Sequence, residues 1–370
     1  MENNIRILAI DPGSTTTKIA LFDTEKELFR DTIRHNAEKL NSFSEIQDQL
    51  GFRTDAVKES MCEHGYLIDD IAVFVSRGGG LLSVVSGVYE VSDLLLSHAA
   101  RGMAGQHPAQ LGSQISHMLA KKTGTRAFIV NPPDVDELCL PARVTGIKGV
   151  FRESHIHVLN QKEIALRFCA SRGFDYEKIN LIICHVGGGI SITAHENGRM
   201  IDSNDILDGS GPMSPTRAGD IPYMSVIRLA YSGEYSAKEL TDRLNRKGGL
   251  SDYFGTTDIR DIFEMVKNGD NYAKFILDGM IYQNAKYIGA MAVALKGKVN
   301  AIILTGGISN NKYFTDSIRS YVDWIADITV IPGEFELEAL ASGALRVMRG
   351  TEEVKTYTGI PVWSGLHPSE

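Results

Sequence analysis

Apolar and polar positions along the start of the chain form a pattern typical of short β-strands. Residues 5–10 are an apolar run that stops at an Asp-Pro-Gly-Ser turn at 11–14, and residues 15–22 are rich in β-branched side chains. Runs of this length bounded by turn residues indicate strands rather than helices. Because a further turn follows at 23–26, the pattern predicts a three-stranded meander.

The same pattern returns near the middle of the chain. Residues 181–186 form an apolar run that meets three consecutive glycines and continues as residues 190–194 before a turn at 196–199. A repeated supersecondary pattern predicts two related domains. We place the first domain at residues 1–152, completed by a C-terminal helix at about 338–370, and the second at residues 153–337.

Between and after the meanders, helical periodicity alternates with short buried strands. Residues 272–295 carry apolar side chains at helical spacing, whereas residues 127–130 and 301–304 are compact apolar runs. Residues 334–348, rich in Ala, Leu and Glu, predict a closing helix. The alternation of strand and helix indicates an α/β fold. The polar composition beyond Gly350 predicts a loosely held tail.

Composition and charge narrow the class of protein. Of the 370 residues, 43% are hydrophobic and 23% charged, and the formal net charge of −8 comes without a lysine or arginine block, so we do not expect a nucleic-acid partner. The start of the chain lacks a basic flank before a long apolar segment, and nowhere do 18 apolar residues follow one another. We therefore expect a cytoplasmic protein with no membrane contact, whose four scattered cysteines are reduced thiols.

Four glycine-bearing loops each follow an apolar run. Backbone N–H groups in such loops can hold phosphate oxygens, because no side chain blocks close approach. One such loop is more often only a turn, but four of them favour a nucleotide ligand. None contains a P-loop or a dinucleotide-binding motif. The loops are Gly13-Ser14-Thr15, Gly78-Gly79-Gly80, Gly187-Gly188-Gly189 and Gly306-Gly307.

Six motifs occur in the order found in the acetate/butyrate kinase family. They read DPGSTTTK at 11–18, RGG at 77–79, HVLNQK at 157–162, HVGGG at 185–189, RAGD at 217–220 and TGGI at 305–308. The chain resembles most the butyrate kinase branch, whose corresponding central motif reads HALNQK, and the resemblance covers about residues 5–349.

The resemblance implies a fold and an activity. The fold is the pair of duplicated ribonuclease-H-like domains shared by sugar kinases, heat-shock ATPases and actin, with ATP or ADP and Mg²⁺ in the interdomain cleft. The activity is reversible, ATP-dependent phosphorylation of a short-chain carboxylate, butyrate or a branched relative, to its acyl phosphate. Family resemblance also implies a homo-oligomer, a dimer or higher. The alternatives are a hydroxyl-directed, sugar-type kinase of the same fold and an actin-like or chaperone-like ATPase.

Carboxylate phosphorylation needs cations more than it needs a base. A carboxylate is already ionised at pH 7, so the site must neutralise two anions that repel each other. A hydroxyl acceptor would instead need an aspartate to take its proton. By resemblance, Arg77 and Arg217 bind the carboxylate and stabilise the transferring phosphoryl group, and His157 donates to its oxygens. Without the motifs, Arg77 would be interpreted as a surface residue after a strand.

The resemblance also implies which residues bind the substrate and the nucleotide. His107 has an alternative interpretation as a cap of the following helix, and Asp258 one as the N-cap before Ile259. The substrate-side residues are Ser14, Thr16, Lys18 and His107. The nucleotide-side residues are Asp11, Gly187, Gly188, Gly189, Asp258, Gly306 and Gly307.

The implied metal residues are Glu336 and Asn131. Glu336 matches the family's metal-associated acid, although a glutamate in the first turn of a helix is also favoured by the helix dipole. Family members have an aspartate where this chain has Asn131, so a negative charge is missing there, and Asp134 or Asp136 is a candidate to replace it. His155 and His157 alternate on an expected strand, but two histidines without a third ligand in view make only a weak case for a zinc site.

Overall fold

The computed structural model describes residues 4–365 and divides into two compact units. The first unit consists of Met1–Asp136, Val158–Glu163 and Phe335–Glu370. The second consists of Glu137–His157 and Ile164–Glu334. Within the described residues, no helix is both long enough and apolar enough to span a membrane.

The first unit contains a six-stranded sheet of order β3-β2-β1-β4-β6-β5. Antiparallel pairing of β1 with β2 and of β2 with β3 confirms the meander predicted from the first residues. Strands β1, β4 and β6 are parallel to one another, so their carboxyl ends lie at one edge of the sheet. The strands are β1 Arg6–Pro12, β2 Thr16–Asp23, β3 Lys26–Arg34, β4 Val73–Ser76, β5 Val88–Glu90 and β6 Arg126–Val130.

The second unit repeats this arrangement in a five-stranded sheet of order β11-β10-β7-β8-β9. Its strands are β7 Asn180–Val186, β8 Ile190–Glu196, β9 Arg199–Ser203, β10 Ala301–Thr305 and β11 Ile328–Val330. Again an antiparallel meander, here β7-β8-β9, joins parallel strands through its first member. The turn between β8 and β9 has Asn197 and Gly198 at positive φ, as a tight hairpin requires.

Helices lie between the strands as the alternation predicted. The expected segment at 272–295 is one continuous helix, α11, which begins after the N-cap Asp270. The first helices of unit one are α1 Ala37–Asn41, α2 Leu50–Glu63, α3 Asp93–Arg101 and α4 Leu111–Thr123. Helix α5 Leu140–Arg143 belongs to unit two, and α6 Val158–Arg172 begins in unit one and continues in unit two. Those that follow are α7 Tyr223–Ala230, α8 Ala237–Asn245, α9 Leu250–Phe254, α10 Ile259–Lys267, α11 Asn271–Ala294, α12 Lys312–Val322 and α13 Glu336–Met348.

Helices cover both faces of the first sheet because successive strand residues point to opposite sides. Ile7 and Ala9 of β1 join a core with Leu340 of α13. Leu8 and Ile10 of the same strand join another core, to which α2 and α4 contribute. In the second unit, α11 and α12 pack on the sheet in a single large cluster. These cores fix the strand ends on which the polar residues lie.

The first unit ends earlier than the residue 152 expected from the sequence. Residues 137–152 hydrogen bond to β9 of the second sheet instead of to the first. Glu137 Oε2 accepts the Met200 N–H at 2.9 Å, and the Cys139 N–H donates to the Ile201 carbonyl at 2.9 Å. Arg152 lies 3.0 Å from Asp202. The boundary therefore follows strand pairing rather than the spacing of sequence motifs.

The C-terminal segment differs from the expected helix at 338–370. The helix α13 ends at Met348, and Gly350 follows at φ +70. The chain then runs beside β5, where Lys355 pairs through its backbone with Val88 and Glu90. Tyr357 is buried and accepts the Leu82 N–H at 3.1 Å. A loosely held tail is therefore the wrong description of residues 351–362, since hydrogen bonds attach them to the first sheet.

Candidate functional site

Three predicted residues follow the parallel strands of the first sheet. Asp11 lies at the end of β1, Arg77 directly follows β4, and Asn131 directly follows β6. Because β1 pairs with β4 and β4 pairs with β6, the three residues lie at the same edge of the sheet, on strands about 5 Å apart. The sheet thus brings together residues that are 120 positions apart in sequence.

Two carboxylates and two cations meet at this edge. Arg77 Nη1 lies 3.2 Å from Glu336 Oε1 and 3.8 Å from Asp11 Oδ1. Lys18, on β2, places its Nζ 3.4 Å from Glu336 Oε2. Glu336 is the first residue of α13, whose packing on the sheet holds the carboxylate there. The predicted residues Asp11, Lys18, Arg77 and Glu336 are therefore neighbours.

The two acids differ in their proton affinity. Burial raises the pKa of Asp11 to about 6. Arg77 and Lys18 act to lower this pKa, whereas the adjacent Glu336 carboxylate acts to raise it. Burial also works against the charge of Glu336, but Arg77 and Lys18 lower its pKa to about 2. Asp11 Oδ1 is buried and accepts no hydrogen bond within the described residues. An unsatisfied carboxylate oxygen beside a second acid suits a divalent cation.

The turn between β1 and β2 carries the exposed Ser14 and the half-buried Thr16. Its backbone is held from inside by Arg53 of α2, which is fully buried. Arg53 donates to the Ser14 carbonyl at 3.1 Å and to the Thr16 carbonyl at 2.9 Å. Sequence reasoning missed Arg53, because an arginine within a helix is ordinarily expected at the surface.

Asn131 and His107 take part in local structure. Asn131 has φ +42, its Oδ1 accepts the Gly87 N–H at 2.8 Å, and its own N–H donates to the Gly87 carbonyl. His107 Nδ1 accepts the Ala109 N–H at 3.1 Å, which is the capping contact considered as its alternative. Their metal and substrate roles stay predictions.

In the second unit, the β7–β8 turn is joined to the segment that carries Arg217. The Ser214 and Thr216 hydroxyls both donate to the Gly188 carbonyl, at 2.8 and 2.9 Å. The Arg217 N–H donates to Ser214 Oγ at 3.1 Å. A Cβ atom at Gly189 would overlap the Arg217 guanidinium. Glycine at position 189 therefore allows the cation to lie directly on the turn.

The guanidinium of Arg217 has hydrogen-bonding capacity left over. Its Nε and Nη1 atoms are buried and donate to no acceptor within residues 4–365. Burial lowers the pKa of Arg217, while the Asp205 carboxylate acts in the opposite direction. Buried donor atoms of a cation that have no acceptor are costly unless an anion pairs with them. The fork of a guanidinium matches the oxygens of a carboxylate or a phosphoryl group.

The two histidines before α6 have different partners. The segment from 152 to 157 is irregular, so the expected strand is wrong there. His155 Nδ1 lies 2.9 Å from Asp205 Oδ2, and this hydrogen bond raises the pKa of His155 against the effect of burial. His157 Nδ1 lies 2.9 Å from Ser191 Oγ, and its ring stacks on His185 with centroids 4.1 Å apart. His185 thus packs against one face of the His157 ring.

Most of the predicted nucleotide residues line one cavity of about 500 Å³ in the second unit. Gly187 and Gly188 form one wall, and Gly307 and Asp258 form others. Asp258 also caps α10 and pairs with Arg260, whose side-chain hydrogen bonds lower the Asp258 pKa to about 2. The cavity has the backbone of a glycine turn on one side and the Asp258–Arg260 ion pair on the other.

Gly306 precedes Gly307, which lines this cavity. The φ of Gly306 is +87, and a Cβ atom there would overlap the Val186 backbone at the end of β7. Glycine is therefore needed for β10 and β7 to end side by side. This places the exit of β10 beside the glycine turn of β7.

A second cavity of about 480 Å³ has Arg217 in its wall. Many of the other side chains are apolar, namely Ile190, Ile206, Pro212, Ile221, Val226, Ile227 and Leu244. Two of the three acids of the lining already have partners, and the third, Asp208, is exposed. Asp205 pairs with His155, and Asp220 accepts the Tyr287 hydroxyl and the Gly211 N–H.

Sequence comparisons agree with this geometry. The profile of the Acetokinase family matches residues 134–322. Butyrate kinase 2 of Clostridium acetobutylicum is 43% identical to this chain over 352 residues, which are 95% of the chain and 99% of that protein. The chain belongs to the acetokinase family. The predicted family and its butyrate kinase branch are thereby confirmed.

Solved structures confirm the predicted fold of this acetokinase. The acetate kinase of Porphyromonas gingivalis superposes with a TM-score of 0.77 at 19% identity, over 93% of this chain and 100% of that one. A propionate kinase from Francisella tularensis subsp. tularensis gives 0.72 at 18% identity, over 91% and 98%. At these identities the likeness concerns the fold, which is the duplicated α/β arrangement expected from the repeat.

Proposed function

We propose that the chain transfers the γ-phosphoryl group of ATP to a short-chain carboxylate, giving an acyl phosphate and ADP, and catalyses the reverse reaction. Membership of the acetokinase family and the identity with a butyrate kinase support an ATP-dependent carboxylate kinase. The observation that carries the proposal is Arg217, a half-buried cation in the wall of a largely apolar cavity, whose Nε and Nη1 atoms are buried and unpaired within residues 4–365. An anion with a short hydrocarbon tail fits both properties.

The surroundings of Arg217 favour a carboxylate over a hydroxyl acceptor. A hydroxyl acceptor needs a carboxylate base, yet Asp205 is engaged by His155. Burial works against the charge of Asp205, but that hydrogen bond and those from the Leu207 and Asp208 N–H groups lower its pKa. Asp220 is likewise occupied by the Tyr287 hydroxyl. A carboxylate substrate makes such a base unnecessary.

We place the acyl chain in the 480 Å³ cavity. Burial of each methylene group contributes about 0.8 kcal/mol, so an apolar wall of Ile190, Pro212 and Val226 favours butyrate or a branched relative over acetate. Arg217 then binds the carboxylate end. Arg77 and His157 donate hydrogen bonds to the phosphoryl oxygens. Positive charge and fixed geometry of the donors stabilise the charge that develops on these oxygens during transfer.

We place the nucleotide at the 500 Å³ cavity. Gly187 and Gly188 carry no side chain, so a phosphate group can approach the backbone of the β7–β8 turn closely. Gly307 and Asp258 line the remaining walls and suit the nucleoside part. The family implies use of ATP and ADP, and these residues are the ones we assign to it.

Mg²⁺ fits the edge of the first sheet. The unsatisfied Oδ1 of Asp11 and the adjacent Glu336 supply the hard oxygen ligands that Mg²⁺ prefers, and Asn131 offers an amide oxygen two strands from Asp11. When bound, the ion neutralises phosphate charge. Arg77 and Lys18 already hold Glu336 ionised, so the acid needs no proton release at neutral pH.

Two further expectations stay predictions. A homo-oligomer, a dimer or higher, is checked by analytical ultracentrifugation of the full chain. A cytoplasmic location is checked by fractionation of the source cells.

The function is tested by trapping acyl phosphates as hydroxamates. Straight and branched acids from two to six carbons are each incubated with ATP, Mg²⁺ and hydroxylamine, and glucose serves as the hydroxyl acceptor control. We expect the highest kcat/KM at about four carbons. Turnover of glucose with no hydroxamate from any acid would instead support the sugar-type kinase, and ATP hydrolysis without either product would support the ATPase.

A further inference from the structure

Arg53 is a buried cation without an acidic partner. Its guanidinium is fully buried and donates only to neutral acceptors: Gln49 Oε1 at 3.0 Å, Thr17 Oγ1 at 3.0 Å, and the Ser14 and Thr16 carbonyls. Among residues 4–365, no carboxylate forms an ion pair with it. Burying a charge without a counter-charge is costly. Neutral hydrogen bonds leave its net charge uncompensated.

The hydrogen bonds of Arg53 determine which way the β1–β2 turn faces. The Ser14 and Thr16 carbonyls point inward to Arg53, and the Thr15 carbonyl accepts the His35 N–H at 3.0 Å. In the described part of the chain, the N–H groups of Ser14 and Thr15 have no acceptor, and both residues are exposed. Successive outward N–H groups form an anion-binding concavity.

The other polar neighbours of Arg53 add no negative charge. His35 Nε2 lies 2.8 Å from Thr17 Oγ1, which itself accepts from Arg53. Burial, with a further contribution from Arg53, lowers the pKa of His35 to about 4, so the imidazole is neutral at physiological pH. Thr17 therefore donates its hydroxyl proton to His35. Arg53 is therefore the charged member of this hydrogen-bonded group, and it lies directly against the turn.

We propose that Arg53 is a positioning residue of a phosphoryl-binding site at the β1–β2 turn. Arg53 keeps the turn carbonyls inward, so that the Ser14 and Thr15 N–H groups face the phosphoryl group of the acyl phosphate. The phosphoryl group in turn supplies the negative charge that the buried guanidinium lacks. Arg53 does not touch the ligand, because it is fully buried and its hydrogen bonds go to Gln49, Thr17 and the turn carbonyls. The inference rests on the proposed function, which provides the acyl phosphate.

The test compares three full-length variants. Arg53→Met removes the charge and the hydrogen bonds while keeping the apolar stem, and Arg53→Lys keeps the charge without the fork that reaches two carbonyls. Arg143→Met is the matched control, since Arg143 is also buried and donates to a backbone carbonyl, that of Leu138 in the second unit. Each is measured for melting temperature, kcat, and KM for butyryl phosphate and for ADP.

We expect Arg53→Met to raise the KM for butyryl phosphate about tenfold or more while the KM for ADP changes less than twofold. Arg53→Lys should lie between Arg53→Met and the wild type. Arg143→Met should lower the melting temperature with both KM values retained. Equal changes in both KM values, or unchanged KM values in folded Arg53 variants, would overturn the proposal and leave Arg53 a purely structural residue.

A second measurement uses inorganic phosphate and needs no catalysis. Phosphate should slow amide hydrogen exchange in the wild-type peptide that contains Ser14 and Thr15, and less so in Arg53→Lys, which keeps the test available if Arg53→Met does not fold. Absence of protection in the wild type would overturn the proposal. Hydroxamate formation by the wild type is scored separately, so failure of the carboxylate kinase assignment is distinguished from failure of the turn.

Discussion

The turns of the two strand–turn–strand repeats each have an arginine beside them, and the two arginines differ in how many of their donors are hydrogen bonded. At the β1–β2 turn, Arg53 lies inside the fold and donates hydrogen bonds to the carbonyls of the turn. At the β7–β8 turn, the hydroxyls of Ser214 and Thr216 hold the backbone instead, and Arg217 lies on the glycines with two donors unused. The same supersecondary pattern therefore carries one arginine that shapes a turn and one that is available to a ligand. Hydrogen-bond saturation, more than position in the repeat, distinguishes the two roles.

The largest effect should come from removing the unsaturated arginine. We expect Arg217→Ala to lower kcat about 10²- to 10⁴-fold, because a cation directed at the developing charge is lost. The melting temperature should change little, since its Nε and Nη1 bond to no described residue. Hydroxamate formation measures the rate, and Arg246→Ala, an exposed arginine of the same unit, is the control.

Normal turnover in Arg217→Ala, together with loss of turnover in Asp205→Asn, would reverse the comparison. Asp205 would then act as a base for a hydroxyl acceptor. The sugar-type alternative would replace the carboxylate kinase.

The next effect tests whether the second turn positions Arg217. In Gly189→Ala, the new methyl group would overlap the guanidinium, so we expect kcat to fall about 10- to 100-fold through misplacement of the cation. The backbone at 189 has no positive φ, and the clash is with the end of a side chain, so the fold should survive. Gly146→Ala, which meets nothing within 4 Å, is the matched control.

The same substitution should have almost no further effect on kcat in an Arg217→Ala background. Contacting residues are non-additive in this way. Full additivity would mean that Gly189 acts through something other than Arg217.

A smaller effect, on stability, concerns the first turn. The pKa of His35 is lowered to about 4 in the folded chain, from about 6.5 when unfolded. The unfolded state therefore binds a proton first as the pH falls, so stability is complete above about pH 6.5 and decreases by up to about 3 kcal/mol on approaching pH 4. Urea unfolding from pH 7 to pH 4 should show this slope in the wild type and a flatter one in His35→Gln. If the slope in His35→Gln equals that of the wild type, other groups cause the pH dependence. His117→Gln serves as the control.

The smallest effect concerns the missing acid at the edge of the first sheet. Asp at position 131 keeps an oxygen for the Gly87 N–H and tolerates the positive φ, while adding a negative charge. We expect Asn131→Asp to lower the half-saturating Mg²⁺ concentration about two- to fivefold, and Asn131→Ala to raise it. If neither changes it, Asn131 is only the residue that anchors Gly87, and Asp134 and Asp136 become the candidates.

Local patterns were sufficient to predict both meanders and the α/β class, because strand length and turn residues are properties of neighbouring positions. Motifs led to Arg77, His157 and Arg217. Arg53 and Ser191 were missed, since their contacts join positions 39 and 34 residues apart and no local pattern records them. The domain boundary was misplaced for the same reason: residues 137–152 pair with β9, about 60 positions further along the chain.

The path of the chain through the two units limits how such a protein can be divided. Unit membership changes after Asp136, His157, Glu163 and Glu334, so the first unit is assembled from three separate stretches. A gene fragment that stops at 136 would encode all six strands of the first sheet but lack α13, whose Leu340 and Ala344 bury one face of it. Neither half of the duplication can therefore be exchanged between proteins by a single recombination break. The first unit is inherited intact only if the segment before residue 136 and the segment that carries α13 stay together.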